Sequence, residues 1–175
     1  DLAELARLAA VGDLSGQASA VMGSLMSIGP EGETPTGAAI EGACTYAQTV
    51  AASRGRKVVI LLLTDGRPEA PITCSGANIS CCPTLADAEE KARACNGGAN
   101  PIPIYVLGVG PMTGNMDGIA LAGGTKQAHI VSQDGDVAGL VNALNNIRAD
   151  AKLPCDYQPT PAAGQTSIDY TKEFV

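Results

Sequence analysis

From residue 57 to 63 the chain reads Lys-Val-Val-Ile-Leu-Leu-Leu, a continuous aliphatic run closed by Asp65-Gly66. A run of this kind between turn residues predicts a parallel strand buried on both faces. Residues 102–109 form a second such run, and residues 127–132 a third. Around them apolar residues recur at helical spacing. Val21, Leu25 and Ile28 share one face of 15–28. Ala39, Ile40, Ala43, Tyr46, Ala47 and Val50 share one face of a helix that Thr34 or Thr36 caps and that ends near Ser53-Arg54-Gly55. Residues 85–95 place charges on a solvent side and stop at Asn96-Gly97-Gly98; residues 115–122 stop at Gly123-Gly124. Residues 136–149 carry the stripe Val137, Leu140, Val141, Leu144 and Ile147. Leu2, Leu5, Ala6, Leu8 and Ala9 predict one more helix, ended by Gly12.

Helices alternating with buried strands require crossover connections and hence parallel pairing. The predicted class is therefore α/β, doubly wound, with a mostly parallel sheet and helices on both faces. The alternation occupies 1–152. Beyond it Pro154, Pro159 and Pro161 break the pattern, and 153–175 reads as an extension in which Ile168 and Tyr170 alternate with polar residues as in a strand. At 175 residues the chain suits one domain with a core of its own.

Charge narrows the partners. Eleven Lys and Arg against 18 Asp and Glu give a net charge of −7, which repels phosphate backbones and anionic membrane surfaces. Aromatics are 3% of the chain, with no Trp, so no stacking platform for bases is expected. Neither nucleic acid nor a membrane span is predicted, since the longest apolar run is far below the ~20 residues that cross a bilayer. Cations and protein surfaces remain.

Six cysteines, Cys44, Cys74, Cys81, Cys82, Cys95 and Cys155, form an even set with four of them inside 74–95. This density suits disulfides and an oxidising compartment, hence a secreted, periplasmic or cell-surface protein. Zinc is the rival reading, although C-x6-C-C-x12-C lacks the paired C-x2-C spacing and the single histidine, His129, is distant in sequence. Adjacent Cys81 and Cys82 are expected to bond to different partners.

In an open α/β sheet, ligands bind beyond the carboxyl ends of the strands. Thr64-Asp65-Gly66 follows the aliphatic run directly, so Asp65 offers a carboxylate backed by an apolar sheet, a hard oxygen donor suited to a cation such as Mg²⁺. The competing reading is a turn aspartate before glycine. No nucleophile and base pattern marks an enzyme: His129 lacks a companion Ser or Cys motif. Gly108, Gly110 and Gly114 have the wrong spacing for a dinucleotide loop. Asn78-Ile79-Ser80 matches a glycosylation sequon, and Asp87, Glu89 and Glu90 read as a solvated helix face.

Gly32-Glu33-Thr34-Pro35-Thr36-Gly37, then Leu61-Leu62-Leu63-Thr64-Asp65-Gly66, then Ile104-Tyr105-Val106-Leu107-Gly108-Val109-Gly110, taken in that order, resemble the von Willebrand factor type A (VWA) domain family. The resemblance covers about 15–150 and extends to Ile119-Ala120-Leu121-Ala122-Gly123-Gly124-Thr125 and Asn142-Ala143-Leu144. It implies an adhesion and protein-binding module rather than an enzyme. It also implies a metal-ion-dependent adhesion site to which Thr34 brings a hydroxyl and Asp65 a carboxylate. The implied cofactor is Mg²⁺, or Mn²⁺ or Ca²⁺, and the implied partner is a protein that completes the coordination with an acidic residue.

The family's third metal-site element, D-x-S-x-S after its first strand, does not occur in the sequence; Asp13-Leu14-Ser15-Gly16-Gln17 is the nearest approach. The resemblance is thus to a partial VWA domain without the N-terminal strands. In the family that first strand lies beside the T-D-G strand, so 58–63 is expected to be an open apolar edge. A strand donated by an upstream segment, by another chain, or by 167–175 is expected to cover it. If no cation is held, the remaining reading is a structural α/β domain with a degenerate metal site, paired to another chain through that edge.

Overall fold

The computed structural model of the protein describes residues 14–27, 34–54, 57–68, 84–111, 113, 115–132 and 135–151. Among them the elements run α1 (Leu14–Ser27), α2 (Thr36–Arg54), β1 (Ile60–Thr64), α3 (Leu85–Asn96), β2 (Ile104–Val109), α4 (Asp117–Ala122), β3 (His129–Val131) and α5 (Val137–Ala151). The helix expected before Gly12, the strand expected over 167–175, and Cys74, Cys81, Cys82 and Cys155 lie outside the described residues.

The three strands form one parallel sheet in the order β1-β2-β3, with Ile60 opposite Ile104 and Leu107 opposite His129. The mixed α/β class and the parallel pairing are as the sequence predicts. β2 is the central strand, and its residues Ile104 to Gly108 are buried throughout. One face of the sheet packs Ile60, Leu62, Ile104 and Val106 against Ile40, Cys44 and Ala47 of α2, Ala88, Ala92 and Cys95 of α3, and Ile119 of α4. The other face packs Tyr105, Leu107 and Val131 against Ala143 and Ile147 of α5.

Three expectations need correction. β1 is not buried on both faces: Leu61 is 42% and Leu63 59% exposed. The cause is the placement of α5, which lies over β2 and β3 and leaves that side of β1 uncovered among the described residues. The stripe of α5 is likewise rotated. Val137, Val141 and Leu144 are exposed, while Ala143 and Ile147 face the sheet with Leu140 and Ala151. On α2 the buried line is Ile40, Cys44 and Ala47, with Ala39 and Tyr46 outside it.

Small side chains explain the α2 line. α2 and α3 both precede strands of one parallel sheet, so they run parallel to each other and meet at a constant offset. Gly37 lies against Asp87 and Ala88, Glu41 pairs with Lys91 at 3.1 Å, and Cys44 is bonded to Cys95 with 5.8 Å between Cα atoms. A Cβ at Gly37 would run into the Asp87 carboxylate. Backbones this close leave no room for larger residues along the seam. α3 itself starts on Thr84, whose hydroxyl accepts the Asp87 N–H at 3.0 Å, and ends with the Gly97 N–H donating to the Arg93 carbonyl at 2.8 Å.

Two groups link this packing to alkaline pH. Burial, with a smaller contribution from Asp150, raises the pKa of the Tyr105 phenol, and the hydrogen bond and charge of Glu41 raise that of Lys91. Each proton is held more tightly in the folded chain than in the unfolded one. Their contribution to stability is therefore complete below the unfolded-state values, near 10, and is lost as pH rises through the raised folded values. The expected result is a urea midpoint that falls on the alkaline side of about pH 9, with a shallower fall in Tyr105→Phe.

Candidate functional site

The carboxyl ends of the strands form one rim of the sheet, and the described loops there are short and internally bonded. After β1, the Thr64 hydroxyl donates to the Gly66 carbonyl at 2.8 Å and accepts the Gly66 N–H at 3.3 Å. This clasp turns the chain sharply and leaves Asp65 at the tip, exposed. Among the described residues no hydrogen bond or ion pair engages its carboxylate.

Thr34 reaches the same rim by a different route. α2 leads into β1 through a short connection and packs against it, so the helix runs antiparallel to the strand and starts at the strand's carboxyl end. Thr34 stands two residues before that start, half-buried, with its carbonyl accepting the Thr36 N–H at 2.9 Å and the Thr36 hydroxyl at 3.5 Å. Thr36 is 4% exposed, so its side chain is fixed while that of Thr34 is more open. The two residues singled out by sequence thus sit on one rim, each at the end of a rigid element.

Next along the rim, the sheet register sets Thr64 beside Gly108. The chain then turns at Gly110, which takes φ of 98° and donates its N–H to the Val131 carbonyl at 2.8 Å. Thr113 is fully buried under this turn and donates its hydroxyl to the Gly110 carbonyl at 2.8 Å. No motif announced Thr113; its role is to hold the rim beside Asp65 in shape. Asp117 was equally silent in sequence, and its carboxylate accepts the Ala128 N–H at 2.8 Å, tying α4 to the start of β3. Asp87 departs from the solvated-face reading, since its carboxylate lies against Gly37 in the first turn of α2 and is half-buried. A carboxylate there also meets the positive end of that helix.

The donor set of Thr34 and Asp65 is one neutral and one charged oxygen, which fits a hard divalent cation in kind. In number it is short of the roughly six oxygens such an ion takes, and no cluster of three or more His, Cys, Asp or Glu occurs among the described residues. His129, the other residue weighed for chemistry, is half-buried on β3. It lines a cleft of about 510 Å³ between β3 and α5, together with Asp136, Asn142 and Asn146.

The cysteines resolve in part. Cys95 is bonded to Cys44 and so joins α2 to α3 within the core, while Cys74, Cys81, Cys82 and Cys155 lie outside the described residues. Among the described residues no helix is long and apolar enough to cross a membrane. Comparison of the chain with protein-family models, with curated proteins and with solved structures gives no match in any of the three.

Proposed function

We propose that this chain is a VWA-like adhesion and protein-binding module of a secreted or cell-envelope protein. Its recognition surface would be the strand-end rim around Asp65 and Thr34. The observation that carries the reading is the Thr64 clasp, which presents the Asp65 carboxylate outward on a rigid support at the carboxyl end of a parallel strand. Asp65 would give Mg²⁺, or Mn²⁺ or Ca²⁺, its charged protein oxygen and Thr34 a neutral one. A cation held by so few protein charges keeps a strong attraction for a carboxylate of the partner protein. The disulfide supports the oxidising setting.

Titration calorimetry with Mg²⁺ and Mn²⁺ tests this. The expected result is saturable binding with a dissociation constant on the order of 10⁻³ M, abolished in Asp65→Ala and weakened in Thr34→Ala, both variants keeping the circular dichroism of the parent. A folded chain that binds no ion, or an Asp65→Ala variant that binds equally well, overturns the proposal.

A second reading, a structural domain that pairs with another chain, draws on the edge position of β1 and the exposure of Leu61 and Leu63.

A further inference from the structure

We infer that Asp65 is a modification site: in the folded chain the Asp65-Gly66 peptide converts spontaneously to isoaspartate, ahead of the other Asn-Gly and Asp-Gly pairs among the described residues. The chemistry needs no partner and does not rest on the cation reading.

Four such pairs occur in the sequence, Asp65-Gly66, Asn96-Gly97, Asp117-Gly118 and Asp134-Gly135, and Asp134 lies outside the described residues. The reaction is the same at each. The amide nitrogen of the glycine attacks the preceding side-chain Cγ and an N–C bond forms. The proton of that nitrogen leaves with the carboxyl OH as water, or with the side-chain amide group as ammonia where the residue is asparagine. Water then opens the resulting succinimide at either carbonyl, and opening at the main-chain carbonyl leaves the backbone running through Cβ. At aspartate the water lost is regained, so the step is a net isomerisation that needs neither oxidant nor co-reactant. Glycine favours it because no Cβ shields the attacking nitrogen.

Attack requires a side chain free to swing onto the nitrogen and a backbone free to let it. Asn96-Gly97 meets neither condition. The Asn96 amide fills the space beside Gly124 where a Cβ would stand, and the Gly97 N–H donates to the Arg93 carbonyl at 2.8 Å. At Asp117-Gly118 the carboxylate accepts the Ala128 N–H at 2.8 Å. Gly118 lies within α4, with the Glu89 carboxylate packed where its Cβ would be. At both pairs cyclisation must wait for a helical turn to open.

Asp65-Gly66 is held by none of these restraints. Asp65 is exposed, and among the described residues no hydrogen bond or ion pair engages its carboxylate. No atom lies within 4 Å of the place a Gly66 Cβ would take. The Gly66 N–H reaches the Thr64 hydroxyl at 3.3 Å, beyond the usual length of such a bond. Gly66 is not among the glycines with positive φ, so neither contact nor backbone conformation demands glycine here. The residue that makes this peptide reactive is one the turn does not need.

The product lengthens the main chain by one carbon at the tip of the turn and sets the free carboxylate directly on Cα. The Thr64 clasp and the outward aim of the charge then change together, so the rim ages with the protein.

The test is incubation of the full chain in EDTA for weeks at neutral pH and body temperature, both native and in urea. Peptide mapping with electron-transfer fragmentation distinguishes isoaspartate from aspartate at each position. The native chain should accumulate isoaspartate several-fold faster at 65 than at 96 or 117. In urea the order should reverse, with Asn96 leading, because asparagine is intrinsically the faster residue once the helices no longer protect it. Gly66→Ala, which the open space accommodates, should keep the circular dichroism of the parent and suppress the reaction at 65. Faster modification at 96 or 117 than at 65 in the native chain overturns the inference, as does a Gly66→Ala variant that isomerises as fast as the parent. EDTA keeps this result separate from the Mg²⁺ titration. Isoaspartate at 65 in a chain that binds no ion sinks the cation reading alone, and an ion-binding chain that forms none sinks this inference alone.

Discussion

Replacing Cys44 and Cys95 together by alanine is expected to lower the stability of this protein by about 4 kcal/mol. The bridge spans 51 residues of sequence. Without it the unfolded chain regains the freedom of a loop of that length, and the loop-closure entropy at this size is about 4 kcal/mol. Domains of this size have total stabilities of roughly 5–15 kcal/mol, so the loss is between about a quarter and most of the total.

Both sulfurs lie in the core between α2 and α3, Cys44 8% and Cys95 2% exposed. Reductant alone should therefore act slowly on the native protein and rapidly in moderate urea, where the helices separate. The measurement is urea denaturation of the parent, the reduced parent and the double-alanine variant. Coincident midpoints for the parent with and without reductant after full equilibration would contradict the loop-entropy argument. A reduced midpoint well below that of the double-alanine variant would point to the added cost of two buried thiols forced apart in a seam built for a bond.

The seam also shows where sequence patterning stops being informative. Element type and order were legible because the aliphatic runs are long and their punctuation, Asp65-Gly66, Gly97-Gly98 and Gly123-Gly124, is strong. Which face of each helix would be buried was legible only in part: Ile40, Ala47 and Ile147 are buried as their spacing predicts. A reading by residue size also puts Tyr46, Val141 and Leu144 inward, and these are exposed. The fold buries Gly37, Cys44 and Ala143 in their place. Two parallel helices lying on one narrow sheet gain more by close backbone approach than by burying one bulky residue each, and only small side chains allow that approach. Hydrophobic size alone does not encode this preference.

The same limit applied at the rim. Thr64-Asp65-Gly66 was visible as a turn carrying a carboxylate, and the structure adds the clasp that aims it. Two further bonds on β2 and β3, Thr113 on Gly110 and Asp117 with Ala128, join side chains to backbone where no sequence motif marks them. The second becomes apparent only when α4 is set against the start of β3. The pairing of Cys44 with Cys95 belongs to the same class: spacing grouped Cys95 with its sequence neighbours, whereas the parallel packing of α2 and α3 brings it to Cys44.

Ile104→Ala is expected to cost about 2–5 kcal/mol, and its neighbour Gly123 explains why the site cannot relax to reduce that cost. Ile104 is fully buried at the start of the central strand. Its N–H donates to the Gly123 carbonyl at 2.9 Å, and its own carbonyl accepts the Thr125 hydroxyl at 2.9 Å. These bonds pin the backbone on both sides of the residue, so truncation leaves a cavity under α4 that the strand cannot close by shifting. Gly123, with φ of −77°, has ordinary backbone geometry; glycine is required there by contact.

A Cβ at Gly123 would stand 2.7 Å from the Ile104 Cβ, 3.1 Å from the Ile119 carbonyl and 3.2 Å from the Ile104 carbonyl. None of these is the flexible end of a side chain, so Gly123→Ala should cost about 1–3 kcal/mol through displacement of α4 from β2. The double variant separates the two effects. Alanine at 104 keeps the Cβ that Gly123→Ala would strike, so the clash remains beside the cavity. Residues in contact couple by about 0.5–3 kcal/mol, and thermal or urea unfolding of the double variant should show a coupling at the low end of that range. Recovery of stability beyond either single variant would mean that α4 can slide into the vacated space, and that the turn at Gly123-Gly124 is a softer joint than its hydrogen bonds to β2 imply.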